Sequence, residues 1–298
     1  MTPLPHWDGQ DLTALLALDY IGPGHFRNRH GDANRNGRAY GGQSLGQALM
    51  AAAIDVPEDR MPTMLQFVFL RGVQPQRPID FHVSTLQQGK RFTTRHVRGT
   101  QGAGAAPVFD AQVSFAGPSP LFEHAAAWTP PDAEPAAIAP FDGSTPWEQD
   151  LSRRSGYPTL SHACIEFRMS DGERQVGQAR AGDTLRYWFR VGHALPPSPA
   201  LHAAAFAYLS DWWINFPAVG PYMRDVPPGR RLYVASLNHC LWLHRPFAPD
   251  QWLHVSTDSP CTFGGRGLSV ARVHDRAGQL VASATQECVM QIADEEAS

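Results

Sequence analysis

The chain has 298 residues, with 25 basic side chains against 28 acidic ones and a net charge of −3 at neutral pH. That length allows one large domain or two ordinary ones with ample core, and a near-balanced charge with no run of Lys or Arg excludes the electrostatic footprint of a nucleic-acid binder. No apolar run reaches membrane-spanning length, and the opening MTPLPHWDGQDL lacks a basic segment followed by an apolar one, so a mature, cytoplasmic protein without a membrane partner is expected. The four cysteines (Cys164, Cys240, Cys261, Cys288) lie far apart with no CxxC or His at ligand spacing, and read as small reduced core residues with no metal site.

Along the chain, Asp11 to Leu18 suggests a short helix, and Ile21 to Tyr40, rich in Arg, Asn, Gly and His, reads as a surface loop. GGQSLGQALMAAAIDV then opens a helix at Gly41, with Leu45, Ala48, Leu49, Ala52 and Ile54 on its apolar face. Strand patterns follow at Met64 to Arg71, Ile79 to Leu86, Arg91 to Thr100 and Val108 to Phe115, separated by turns that include Gly99 to Pro107. Pro118 to Pro158 holds eight of the 26 prolines and little periodicity, and reads as a long linker on whose path Trp128, Phe141 and Trp147 could lie on the domain surface, with disorder in its middle as the competing reading.

Beyond the linker, Cys164 to Met169 and Leu185 to Val191 read as strands. Ser198 and Pro199 then form an N-cap and first position for PALHAAAFAYLSDWWINF, a helix apolar on nearly every side and therefore buried. Asp211 is its one acid, placed towards the negative end of the helix dipole, where a carboxylate is disfavoured. Strands are expected again at Arg231 to Leu243, Trp252 to Asp258, Gly267 to His274 and Leu280 to Gln291. FHVST at Phe81 recurs as LHVST at Leu253 with the same order of turns and strands after it, and Gln112 falls opposite Gln286 in this alignment. The echo predicts a duplicated helix-plus-antiparallel-sheet unit of α+β class, with residues 1–117 and 159–298 as the two copies and 118–158 between them.

The segments AYGGQSLGQALMAA, FLR, AYLSDWW, LNHCLWLHRPF and ASATQECVM resemble those of the acyl-CoA thioesterase II (TesB-like) family, over both halves and not in the linker. The resemblance implies a double hotdog fold, each half a central helix wrapped by an antiparallel sheet. It also implies hydrolysis of acyl-CoA to free acid and CoA without a cofactor, and a homo-oligomer. Carried over motif by motif, it implies that water is activated by Asp211, Ser236 and Gln286. That set suits the chemistry, because thioester hydrolysis needs a base and donors for an oxyanion, and an aspartate in an apolar setting has a raised pKa. Gln286 shares a face with Ala282, Ala284, Cys288 and Met290, and Ser236 shares one with Asn238 and Cys240 by strand alternation. Backbone N–H groups or the Gln286 amide are the candidate oxyanion donors. Arg266 and Arg245 are candidate cations for the CoA anion, with Arg71 and Arg91 in the first half. The sequence departs from the family pattern at Gln66, where a His is common, and at Asn238, where an Asp precedes the His.

Two other hydrolytic or hydrating readings and one binding reading compete. Gly42-Gln43-Ser44-Leu45-Gly46 matches GxSxG, but that elbow requires a strand immediately before Ser44, and Asp32 to Arg38 is not one. Gly31-Asp32-Ala33-Asn34 matches the opening of hotdog hydratases, but the position for their His is Gly37. Gly102-Ala103-Gly104 and Gly264-Gly265 read as hairpin turns and not as dinucleotide sites. A duplicated hotdog that binds acyl-CoA without hydrolysing it is the non-enzyme alternative.

Overall fold

Alternating apolar and polar residues and two buried helices account for most of the chain. A computed structural model describes residues 3–34, 37–102, 106–119, 121–129, 131, 133–155 and 162–294. The first helix, α1 (Leu12–Leu16), is capped by the Asp11 carboxylate, which accepts from the Thr13 N–H at 2.8 Å. Next come β1 (Leu18–Gly22) and β2 (His25–Asn28), then α2 (Gly41–Ala53), then β3 (Met61–Phe69), β4 (Ile79–Gln88), β5 (Phe92–Gln101) and β6 (Ala106–Ala116). A stretch with a 3-10 turn at Pro135–Ala137 and α3 (Pro146–Ser155) leads to β7 (Ile165–Arg168), α4 (Gly172–Gly177) and β8 (Leu185–Val191). The second central helix, α5 (Pro199–Ser210), is followed by α6 (Phe216–Val219), β9 (Arg230–Leu243), β10 (Leu253–Phe263), β11 (Arg266–Asp275) and β12 (Leu280–Asp294).

The strands form one twelve-stranded sheet in the order β1-β2-β4-β5-β6-β3-β9-β12-β11-β10-β8-β7, and every pairing between these strands is antiparallel. The halves join at its centre, where Leu65 of β3 faces Leu241 of β9. FHVST lies in β4, starting at its third residue, and LHVST opens the corresponding strand β10. This is the double hotdog, with α2 and α5 buried against each other inside the curve of the sheet. The helices run in opposite directions where they cross. A side chain at Gly42 would strike the carbonyl of Tyr208, and one at Gly46 would come within 2.8 Å of the carbonyl of Ala204. Glycine is what lets the two backbones approach this closely.

Two expectations need correction. Ile21 to Tyr40 is not all loop, because its first part belongs to the β1–β2 hairpin turning at Gly24, which has φ 63°. β1 lies at the sheet edge with Asp19, Tyr20 and Ile21 exposed, so it carries no buried alternation to read. Within 118–158, Phe141 is core and not surface, its ring meeting Trp147, Phe167 and Trp213. Trp128 covers His254 and His274, and ion pairs from Glu123 to Arg245 and Glu134 to Arg276 tie the segment down. The expected turn through Ala103 and Gly104, the end of the linker at 156–158 and the first residues of the second half at 159–161 lie outside the described residues. Among the described residues no helix is long and apolar enough to cross a membrane.

Candidate active site

α5 stops where Ser210 turns its hydroxyl back to the Ala207 carbonyl and Trp213 adopts a left-handed φ of 57°. Asp211 sits at this C-cap. Its carboxylate is not left against the negative end of its own helix, as the sequence suggests. It reaches the start of α2 and accepts from the backbone N–H of Gly42, and Tyr40, the residue capping α2, provides no side-chain cap of its own. The positive end of one helix dipole therefore offsets the negative end of the other. Gly41 makes the approach feasible, since a Cβ there would lie 2.6 Å from Asp211 Oδ2.

Gln286 Nε2 donates to Asp211 Oδ1 at 2.5 Å and to Ser236 Oγ at 2.6 Å, and Ser236 also bonds the Asp211 carboxylate. The structure thus brings Asp211, Ser236 and Gln286 within direct hydrogen-bonding reach of one another. Both amide protons of Gln286 are committed, so the amide N–H₂ is not a free oxyanion donor, and Gln286 Oε1 is buried with no partner among the described residues. Burial pushes the Asp211 carboxyl up to about 7, against the downward pull of the bonds from Gln286, Gly42 and Ser236.

Ser236 reaches this cluster through a β-bulge. In the β9–β12 ladder Asn238 faces Glu287 and Ser236 faces Cys288, so Leu237 is an extra residue. The bulge reverses the alternation. Ser236 points to the helix side with His239 and Gln286, while Asn238 is on the opposite face bonded to Glu287, correcting the expectation that Ser236 and Asn238 share a face. The same effect corrects the Gln112 alignment. β3 and β6 carry a matching bulge at Thr63, which makes buried Val113 the counterpart of Gln286, while Gln112 is exposed on the outer face. Gln66 is exposed there too, so this departure from the family pattern lies away from the cluster.

His239, which sequence reasoning passes over, is fully buried opposite Gln286. Its Nε2 lies 3.0 Å from Ser210 Oγ, whose own proton goes to Ala207, so Nε2 is the donor. Burial lowers its pKa to about 3 and keeps the ring neutral. Ser44 is buried within α2 and Asp32 is held by the Tyr208 hydroxyl at 2.8 Å, so the two rival motifs present neither an elbow nor an open acid.

Neither candidate arginine touches the cluster. Arg266 is paired with Glu287 on the outer face, and Arg245 is paired with Glu123 beyond the far end of β9, roughly 30 Å of strand from Ser236. Two other cations lie on the near side. The Phe69 ring borders Gly41, Arg71 follows two residues later, and the Arg38 guanidinium packs on Gly72. Arg91, one residue before β5, makes no contact with the cluster among the described residues.

A family model described as the acyl-CoA thioesterase C-terminal domain matches residues 130–290, and one described as the acyl-CoA thioesterase N-terminal domain matches residues 29–116. The chain is 29% identical to acyl-coenzyme A thioesterase 8 of Homo sapiens, over 94% of this chain and 89% of that protein. It is 27% identical to acyl-CoA thioesterase 2 of Haemophilus influenzae, over 95% of this chain and 98% of that one. The solved structure of acyl-CoA thioesterase II TesB2 from Mycobacterium marinum matches with a TM-score of 0.76 at 26% identity, covering 94% of this chain and 98% of that chain. With both halves matched and the double hotdog in place, the chain belongs to the acyl-CoA thioesterase II, TesB-like family.

Proposed function

We propose that the protein hydrolyses acyl-CoA to a carboxylic acid and CoA, with Asp211 as the general base. The observation that carries this reading is a carboxylate with a pKa of about 7, held between Gln286, Ser236 and the N–H of Gly42. Asp211 takes a proton from water as the water oxygen bonds to the thioester carbonyl carbon. The resulting oxyanion collapses, the carbon–sulfur bond breaks, and the departing thiolate recovers the proton from Asp211. Ser236 positions the water, and Gln286 fixes the base and the serine in one geometry.

The test is release of free thiol from a panel of acyl-CoAs, followed against pH. The base works only when ionised, so kcat is expected to climb with pH through a limb near 7 and then level off. A limb near 4, or no thiol release from any chain length, contradicts this reading.

We assign the CoA anion to Arg38, whose guanidinium packs on Gly72, and to Arg71, two residues beyond the Phe69 that borders Gly41, and not to Arg266 on the opposite face. Arg38→Ala and Arg71→Ala should each raise KM about three- to tenfold, the worth of about 1 kcal/mol for a partly exposed ion contact. Arg266→Ala should leave KM where it is. The opposite pattern in steady-state kinetics would return the anion site to β11.

A further inference from the structure

The duplication places a second pocket where the first copy would carry its own active site. The sheet repeats about an axis between Gln66 and Cys240, which face each other in the β3–β9 ladder. The matching bulges at Thr63 and Leu237 fix the equivalences: Pro62 stands for Ser236 and Val113 for Gln286. Counting from the first residue of each helix, Pro199 stands for Gly41 and Ala53 for Asp211. Every polar member of the trio is thus replaced by an apolar residue, and hydrolysis there has no base. The cavity itself persists. About 270 Å³ in volume, it opens at the N-terminus of α5 and is lined by Pro62, Pro199, His202, Leu243, Arg245 and Phe247. Leu243 and Arg245 are the counterparts of Phe69 and Arg71 beside the candidate active site.

The lining is mainly apolar, with Ser198, His202 and Arg245 as its polar members. His202 Nδ1 lies 3.2 Å from the Phe247 carbonyl, which can only accept, so Nδ1 carries the proton. Nε2 is buried and has no partner among the described residues. A buried nitrogen left unpaired is costly unless something meets it. Arg245 lies alongside, its exposed guanidinium paired with Glu123.

We propose that this cavity is a second, non-catalytic acyl site, holding a fatty acyl chain against Pro62, Leu243 and Phe247 with the polar end of the ligand at His202 and Arg245. Only the choice of an acyl chain as ligand class rests on the thioesterase reading. The cavity and its place in the duplication do not.

The test is calorimetric titration of the whole chain with dodecanoate and with a non-hydrolysable dodecyl-CoA thioether. Two acyl sites per chain are expected. Ala203→Trp, which fills the cavity from α5, should weaken one of them at least tenfold while kcat/KM for dodecanoyl-CoA stays within twofold. Met61→Trp, at a half-buried position on the rim, gives the same readout should the helix variant fail to fold. Loss of the dodecanoate isotherm alone assigns the site to the free acid, and loss of the thioether isotherm assigns it to the CoA ester. A single site per chain, or two sites untouched by either tryptophan, overturns the proposal. So does a tenfold rise in KM for dodecanoyl-CoA, which would make the cavity the far end of the catalytic acyl channel. An Asp211→Asn variant that is fully active but still shows two sites would defeat the proposed mechanism and leave the second site standing.

Discussion

Asp211→Asn is expected to lower kcat by roughly 10²–10⁴-fold with little change in KM, because the amide keeps the shape of the side chain but cannot take a proton from water. Folding should survive. The folded-state pKa of Asp211 is raised from the ordinary 3.8 to about 7, so its ionisation costs stability progressively as pH rises between those two values, and the whole penalty is in place above the higher one. Replacing it with a neutral group removes that penalty, while the Asn oxygen can still accept from the Gly42 N–H. The melting temperature at pH 8 should therefore be no lower than that of the wild type. Ser44→Ala is the companion experiment, since Ser44 is buried in α2 with no strand leading into it and should be dispensable for turnover. A covalent acyl adduct on Ser44, or an Asp211→Asn enzyme that turns over normally, refutes attack by water under general-base control.

Gln286→Leu should be nearly as damaging, by a different route. One amide nitrogen holds both Asp211 Oδ1 and Ser236 Oγ, so its loss releases the proposed base and the proposed water-positioning hydroxyl together. Misplacing reacting groups by about 1 Å can cost about 10²-fold in turnover, and a drop of that size is expected at neutral pH. The bond from Gln286 also pulls the Asp211 pKa down. Without it the carboxyl should titrate later, moving the limb of the pH–rate profile to the alkaline side of the wild-type limb near 7. A variant with reduced kcat and an unmoved limb would show that Gln286 does not act on the carboxylate.

Much of the fold is visible in the order of residues. The all-round apolar character of α5 marks a buried helix, and Ser198 marks its start, its hydroxyl accepting from Leu201. The FHVST and LHVST echo marks the duplication. What escapes the sequence has physical causes. The edge strand β1 has three consecutive exposed residues and so no period to detect. The Pro/Ala-rich segment anchors Phe141 and Trp128 through distant aromatic and histidine partners that no local pattern reveals.

At the candidate site, Asp211, Ser236 and Gln286 could be named only through the family resemblance, and the face on which Ser236 lies could not be derived at all. A bulge of one residue at Leu237 leaves no compositional trace, yet it reverses which side chains face the helices. The electrostatic setting of Asp211 escapes the sequence for a related reason. Its own helix is contiguous in sequence, whereas the N-terminus that receives the carboxylate is about 170 residues away.

The meeting of Asp211 with the start of α2 ties the fate of the two copies together. The acid is supplied by the second copy and the backbone donor that holds it by the first, so neither copy in isolation contains the whole of the proposed site. Ancestrally identical subunits facing each other would own two such centres, whereas their fusion into one chain needs only one to be kept. Selection can then hold Gly41, Gly42 and Asp211 fixed as a set drawn from both copies. The opposite set of Ala53, Pro62 and Val113 is relieved of that duty and open to another use.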